Sequence, residues 1–62
     1  MALQTFKTFS EKSGIKEATL TTWFNRELEK IGRKKNMEFD FVHKFGRVIH
    51  FVIIDGKKFI NH

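Results

Sequence analysis

One dipeptide constrains this chain more than any other feature: Asp55-Gly56, set between the run from Arg47 to Ile54 and the run from Lys57 to Asn61. The first run is β-branched or aromatic almost throughout. Asp-Gly is a preferred pair for a two-residue hairpin loop, because both positions of that loop need positive φ. A two-residue loop also sets the register, placing Ile54 opposite Lys57, Val52 opposite Phe59 and Phe51 opposite Ile60. Upstream, Met37 to His43 alternates strictly for the length of a strand. Lys44-Phe45-Gly46 then reads as a short turn. With Gly46 as its left-handed residue, His43 faces Arg47, Phe41 faces Ile49 and Asp40 faces His50. The expectation is a three-stranded antiparallel meander with strands at about 37–43, 47–54 and 57–61.

Successive strand residues point to opposite faces of a sheet. Met37, Phe39, Phe41, Ile49, Phe51, Ile53 and Ile60 therefore share one surface, which other elements must cover. The opposite surface carries Glu38, Asp40, Val42, His50, Val52, Ile54, Phe59 and Asn61, with His50 expected to pair with Asp40. Val42, Val52, Ile54 and Phe59 are left over there as an apolar cluster of the kind that marks a partner surface.

What covers the first surface is written in the N-terminal half. Thr5 suits a helix N-cap, Phe6 and Phe9 share a face, and Gly14 suits the left-handed residue that ends a helix. Leu20, Trp23, Phe24, Leu28 and Ile31 form an amphipathic stripe that ends near Gly32. Helices are expected at about 5–13 and 16–31. The turn between them is too short for side-by-side antiparallel packing, so they must cross steeply, as in a helix-turn-helix unit. The fold class is thus α+β: two helices followed by a β-meander, winged-helix-like, in a single domain spanning 1–62.

Composition narrows the function. A chain of 62 residues with eight Phe, no Cys and no Pro has no disulfide framework and no thiolate metal site, which fits a reducing cytoplasm. No apolar run approaches the roughly 18 residues of a membrane span, and Met1-Ala2-Leu3-Gln4-Thr5 lacks the basic start and apolar segment of a secretion signal. The net charge is +5, and its distribution is uneven. Met1 to Glu29 is neutral, with Lys7, Lys12, Lys16 and Arg26 against Glu11, Glu17, Glu27 and Glu29. Lys30, Arg33, Lys34 and Lys35 follow with no acid among them. An anionic macromolecule, most often nucleic acid, is the expected partner of such a chain.

The stretch Thr5-Phe6-Lys7-Thr8-Phe9-Ser10, followed by Gly14-Ile15-Lys16-Glu17-Ala18-Thr19-Leu20-Thr21-Thr22-Trp23, resembles the MerR/excisionase-like class of helix-turn-helix DNA-binding domains. That class opens with Thr, an apolar residue, two variable residues and an apolar-small pair. It continues with Gly-apolar, three variable residues, Thr-Leu and an aromatic three residues after the Leu. The likeness covers about a third of the chain. It implies that the second helix lies in the major groove of double-stranded DNA, presenting Lys16, Glu17, Ala18, Thr21, Thr22 and Asn25, with Arg26 at the edge. Their chemistry is suited to that role, since Asn pairs bidentately with adenine and Thr offers both hydroxyl and methyl. Asp55-Gly56-Lys57-Lys58-Phe59 resembles the wing of the same class, so Lys57 and Lys58, together with Arg33, Lys34 and Lys35, are expected on phosphates. The run from Met37 to Gly46 departs from the class pattern by inserting a whole strand between helix and wing. A transcriptional regulator or an excisionase-like recombination factor is the implied function, with a homo-oligomer on DNA through the Val52/Ile54/Phe59 face as a possible assembly.

Other chemistries have little to stand on. His43, His50 and His62 match no metal-ligand spacing, no cofactor is implied, and Gly14, Gly32, Gly46 and Gly56 are too scattered to cradle a phosphate. An enzyme acting on a small-molecule substrate is not expected. Two binding alternatives remain: a single-stranded nucleic-acid binder that stacks bases on Phe39, Phe41 and Phe51, and a protein-interaction or inhibitor module that docks by the Val52/Ile54/Phe59 face.

Overall fold

Thr5 has extended backbone, and its hydroxyl oxygen accepts from the Thr8 amide at 3.1 Å, which starts α1 (Phe6–Ser13). Gly14 ends it at φ +80, donating its N–H to the Ser10 carbonyl at 3.0 Å. This left-handed geometry costs glycine almost nothing. Two residues later Lys16 caps α2 (Glu17–Ile31), with no side-chain hydrogen bond to the cap. The computed structural model describes residues 3–44 and 46–61, so Phe45 of the expected turn lies outside the described residues.

After α2 come β2 (Met37–Val42), β3 (Val48–Ile54) and β4 (Lys57–Asn61), joined as a meander, and a short strand β1 (Leu3–Gln4) precedes α1. The sheet is antiparallel with strand order β1-β4-β3-β2. The expected pairings hold: Phe41 faces Ile49, Asp40 faces His50, Phe51 faces Ile60, Val52 faces Phe59 and Ile54 faces Lys57. Asp55 at φ +54 and Gly56 at φ +77 supply the two positive φ values of the hairpin loop. One expectation is corrected. The sheet has four strands rather than three, because Leu3 and Gln4 pair with Asn61 and Ile60 of β4. Two residues are too few to show the period of two, and the bond that makes them a strand comes from the far end of the chain.

Both helices lie on one face of the sheet. Phe6, Phe9, Leu20, Phe24 and Leu28 meet Ile49, Phe51, Ile53 and Ile60, with Ile15, Trp23, Met37, Phe39 and Phe41 packed around them. Phe24 is the hub. Its ring lies 5.5 Å from Phe6, 5.8 Å from Phe39 and 5.5 Å from Phe51, in edge-on or tilted arrangements that favour the aromatic quadrupoles. Lys58 shares the inner face with Ile60, and its ammonium sits 5.1 Å from the Phe6 centroid, closing that end of the core with a cation over a ring.

The opposite face of the sheet has no helix on it. Val42, Val48, Leu3 and Ile54 are 64, 54, 47 and 42 % exposed there. Val52 is buried all the same, because Glu38 and Phe59 flank it across the strands. His50 hydrogen-bonds Asp40, as expected, and its Nε2 lies 3.7 Å from Glu38. The Asp40 hydrogen bond, aided by the nearby Asp40 and Glu38 charges, raises the His50 pKa above its ordinary value. A raised folded-state pKa stabilises the fold fully below the unfolded pKa of about 6.5, and that contribution is lost as pH rises through the folded value. The difference in melting temperature between wild type and His50→Gln is therefore expected to shrink as pH rises above about 6.5. A thermal-denaturation series in which that difference grows with pH would contradict the pairing.

Candidate nucleic-acid interface

Residues 32–36 leave α2 as an irregular segment, and polar groups on the hairpin loop hold it in place. The Gly56 N–H donates to the Lys35 carbonyl at 3.0 Å, and the Asp55 N–H donates to Asn36 Oδ1 at 3.0 Å. In return the Arg33 guanidinium donates to the Gly56 carbonyl at 3.4 Å, and Lys35 Nζ lies 3.6 Å from the Asp55 carboxylate. Asp-Gly leaves its amides free of the ladder when it turns, so they are available to fasten another segment. The result is a clasp that brings Arg33, Lys34 and Lys35 beside Lys57, some twenty residues distant in sequence. All four are exposed. Neither Lys34 nor Lys57 enters an ion pair among the described residues.

Lys57 and Lys58 do not act as a pair. Alternation along β4 puts Lys57 on the uncovered face with Phe59, whereas Lys58 lies over Phe6 and Phe24 on the helical side. Two of the expected phosphate contacts are thus split between the two faces of the sheet.

On α2 the stripe Leu20, Phe24, Leu28 is buried, and Lys16, Glu17, Ala18, Thr22, Asn25 and Arg26 are exposed. Ala18, Thr22, Asn25 and Glu29 fall on one side of the helix at spacings of four, three and four, facing away from the sheet. Thr21 is half-buried rather than outward. The Thr21 hydroxyl donates to the Glu17 carbonyl at 3.1 Å and the Thr22 hydroxyl to the Ala18 carbonyl at 3.0 Å. Both hydroxyl protons are thereby engaged within the helix, leaving their oxygens as acceptors and their methyls as apolar contacts. Asn25, Leu28, Glu29 and Arg33 line one shallow depression, which makes the outward side of α2 continuous with the clasped basic segment.

The structure adds two cations that sequence reasoning left out. Lys12 and Arg47 line a cleft of about 340 Å³ with Gln4, Phe9 and Ser13 at the C-terminal end of α1. Gln4 Oε1 is buried with no hydrogen-bond partner. No local pattern announces this cluster, because its four polar residues come from β1, α1 and the position just before β3.

The rings offered as a stacking platform are not free to serve. Phe51 is fully buried, and Phe39 and Phe41 pack against the core beneath α2, with Trp23 stacked on Phe41 at 5.1 Å. The period of two had put them on the face that the amphipathic helices need to cover, and burial of that face is what the packing satisfies. No group of three His, Cys, Asp or Glu residues is arranged to hold a metal ion among the described residues. Among them, no helix is long and apolar enough to cross a membrane. No family model, curated protein or solved structure matches the chain, so the functional reading rests on this geometry and on the residue pattern of the two helices.

Proposed function

We propose that this chain is a small double-stranded DNA-binding protein of the winged helix-turn-helix kind, a transcriptional regulator or an excisionase-like recombination factor. The observation that carries the reading is the clasp. It fastens the basic segment Arg33 to Lys35 to the hairpin loop, and Arg33 makes that segment continuous with the outward, polar side of α2. In this reading α2 enters the major groove. Asn25 reads a base edge, Thr22 makes an apolar or acceptor contact, and Lys16 and Arg26 reach phosphates at its flanks. Arg33, Lys34 and Lys35 neutralise phosphates beside the groove, while Lys57 stays on the uncovered face of the sheet. Phosphate contacts supply affinity and register, and base-edge contacts supply sequence preference. The likeness of Thr5–Ser10 and Gly14–Trp23 to the MerR/excisionase pattern supports the same assignment.

The test is selection of a preferred duplex from a random-sequence pool, followed by salt-titrated binding of selected duplex, random duplex and single strand. Duplex binding is expected to fall steeply with salt, and Asn25→Ala to cost about 1–3 kcal/mol on the selected duplex while leaving random duplex unchanged. Equal losses on both would remove Asn25 from the readout. Absence of duplex binding at about 50 mM salt would remove the function itself.

A further inference from the structure

The sheet is covered on one face only, and the uncovered face is not a polar one. Val42, Val48, Leu3 and Ile54 stand exposed around the half-buried Phe59 and the buried Val52. Its charges are sorted by strand. Glu38 and Asp40 occupy the edge strand β2 with His50 beside them on β3, still leaving two carboxylates against one imidazole, while Lys57 lies on β4, two strands away. An anionic partner is repelled by the β2 margin, so the nucleic acid that suits the rest of this basic chain does not suit this face.

We infer that the occupant of this face is a second copy of the chain, packed sheet to sheet with the two helical layers outermost. The charge pattern selects the arrangement. A two-fold axis running along the strands lays β2 of one copy over β1 of the other and Val52 over Phe59. It keeps the two acidic margins apart and brings each within reach of the β4 strand that carries Lys57. An axis across the strands would stack β2 on β2, with Glu38 and Asp40 against their counterparts, and like charges in contact are unfavourable. Two sheets packed face to face bury their facing side chains within a layer about 10 Å thick, which Val48, Val52, Ile54 and Phe59 fill.

The size of the face sets the strength. Three strands of five to seven residues and the two-residue β1, about 4.8 Å apart with ~3.4 Å per residue, give a footprint of at most roughly 19 by 20 Å. That is below the ~800 Å² per partner of a standard interface, so the dimer is expected to dissociate in the micromolar range. Geometry then dictates a consequence for DNA, which rests on the reading of α2 given above. In a back-to-back dimer the outward sides of the two α2 helices face in opposite directions. Such a dimer does not straddle two half-sites of one duplex; it joins two duplexes.

Sedimentation of the full chain without DNA decides the dimer. Wild type is expected to shift from monomer to dimer below about 500 µM, and Val48→Lys and Ile54→Lys are each expected to weaken the dimer by roughly tenfold or more. Both side chains are already exposed, and far-UV circular dichroism checks that the variants fold. Glu11→Gln changes the charge by one on the helical layer and is expected to leave the dimer intact. A monomer throughout, or a dimer indifferent to both lysine variants, overturns the inference. With DNA, a bead-bound duplex should capture a second, labelled duplex through wild type and at least about tenfold less through Val48→Lys, although Val48→Lys still binds a single duplex. A dimer that binds one duplex and captures no second overturns the back-to-back arrangement. Failure of all duplex binding removes the DNA reading, and the sedimentation result then stands by itself.

Discussion

Replacing Phe24 by alanine is expected to abolish the cooperative thermal transition or to lower its midpoint by about 15–30 °C. Phe24 is 1 % exposed and touches Phe6 from α1, Phe39 from β2 and Phe51 from β3, so a single ring joins three elements. Removing a buried Phe ring costs about 3–5 kcal/mol, made up of lost transfer free energy and the cavity left behind. A chain of this length has a total stability of only roughly 3–9 kcal/mol, so the loss is a large fraction of the whole. The midpoint shift follows from about 4–8 °C per kcal/mol for domains near this size. Little relaxation can rescue the site. Its neighbours are themselves aromatic and held from both helices and the sheet, so none can move into the gap without leaving another contact. Val48→Ala, at a side chain 54 % exposed, is the control and should stay within about 0.5 kcal/mol of wild type. A Phe24→Ala variant within 1 kcal/mol of wild type by denaturant titration would mean that the ring is not the hub described.

Much of this architecture is legible because two periods coexist in one short chain. The period of two from Met37 to Val42, and the two-residue Asp55-Gly56 loop, fix both the pairing and the face that must be buried. The 3.6 period of Leu20, Phe24 and Leu28 supplies the elements to bury it. β1 escapes this reasoning, since Leu3 and Gln4 are strand residues only because Asn61 and Ile60 lie beside them. The site is legible in outline for the same reason. Exposed residues on α2 follow from the buried stripe, but the half-burial of Thr21 depends on the other elements packed around α2, not on α2 alone. Lys57 and Lys58 show the limit of counting charge. Adjacent in sequence, they lie on opposite faces of the sheet, and Lys58 is drawn onto the Phe6 ring. The clasp was out of reach altogether, because it depends on where the loop amides of Asp55 and Gly56 point after the hairpin has formed.

The clasped segment is where the largest change in binding is expected. Replacing Arg33, Lys34 and Lys35 together by glutamine should weaken duplex binding by roughly two decades at physiological salt and flatten the salt dependence by about 2.7 in slope. Each phosphate neutralised on B-DNA contributes about 0.9 to the slope of log affinity against log salt, and near 0.15 M that slope corresponds to about 0.7 decade per contact. The three positions are chosen because their side chains are exposed and the backbone anchors of the clasp do not depend on them. The Gly56 N–H bonds the carbonyl of residue 35, and the Asp55 N–H bonds Asn36, so both survive the substitutions. The lost contacts within the protein are the 3.4 Å Arg33 bond to the Gly56 carbonyl and the exposed Lys35–Asp55 pair, and exposed pairs contribute at most about 1 kcal/mol. Stability and affinity therefore separate. The thermal midpoint should move by a few degrees while affinity falls on every duplex, selected or random, by a similar factor. Sequence preference should persist, because base-edge contacts from α2 are untouched. If instead the triple variant lost preference while retaining its salt slope, the segment would be reading bases rather than phosphates, and α2 would not be the element in the groove.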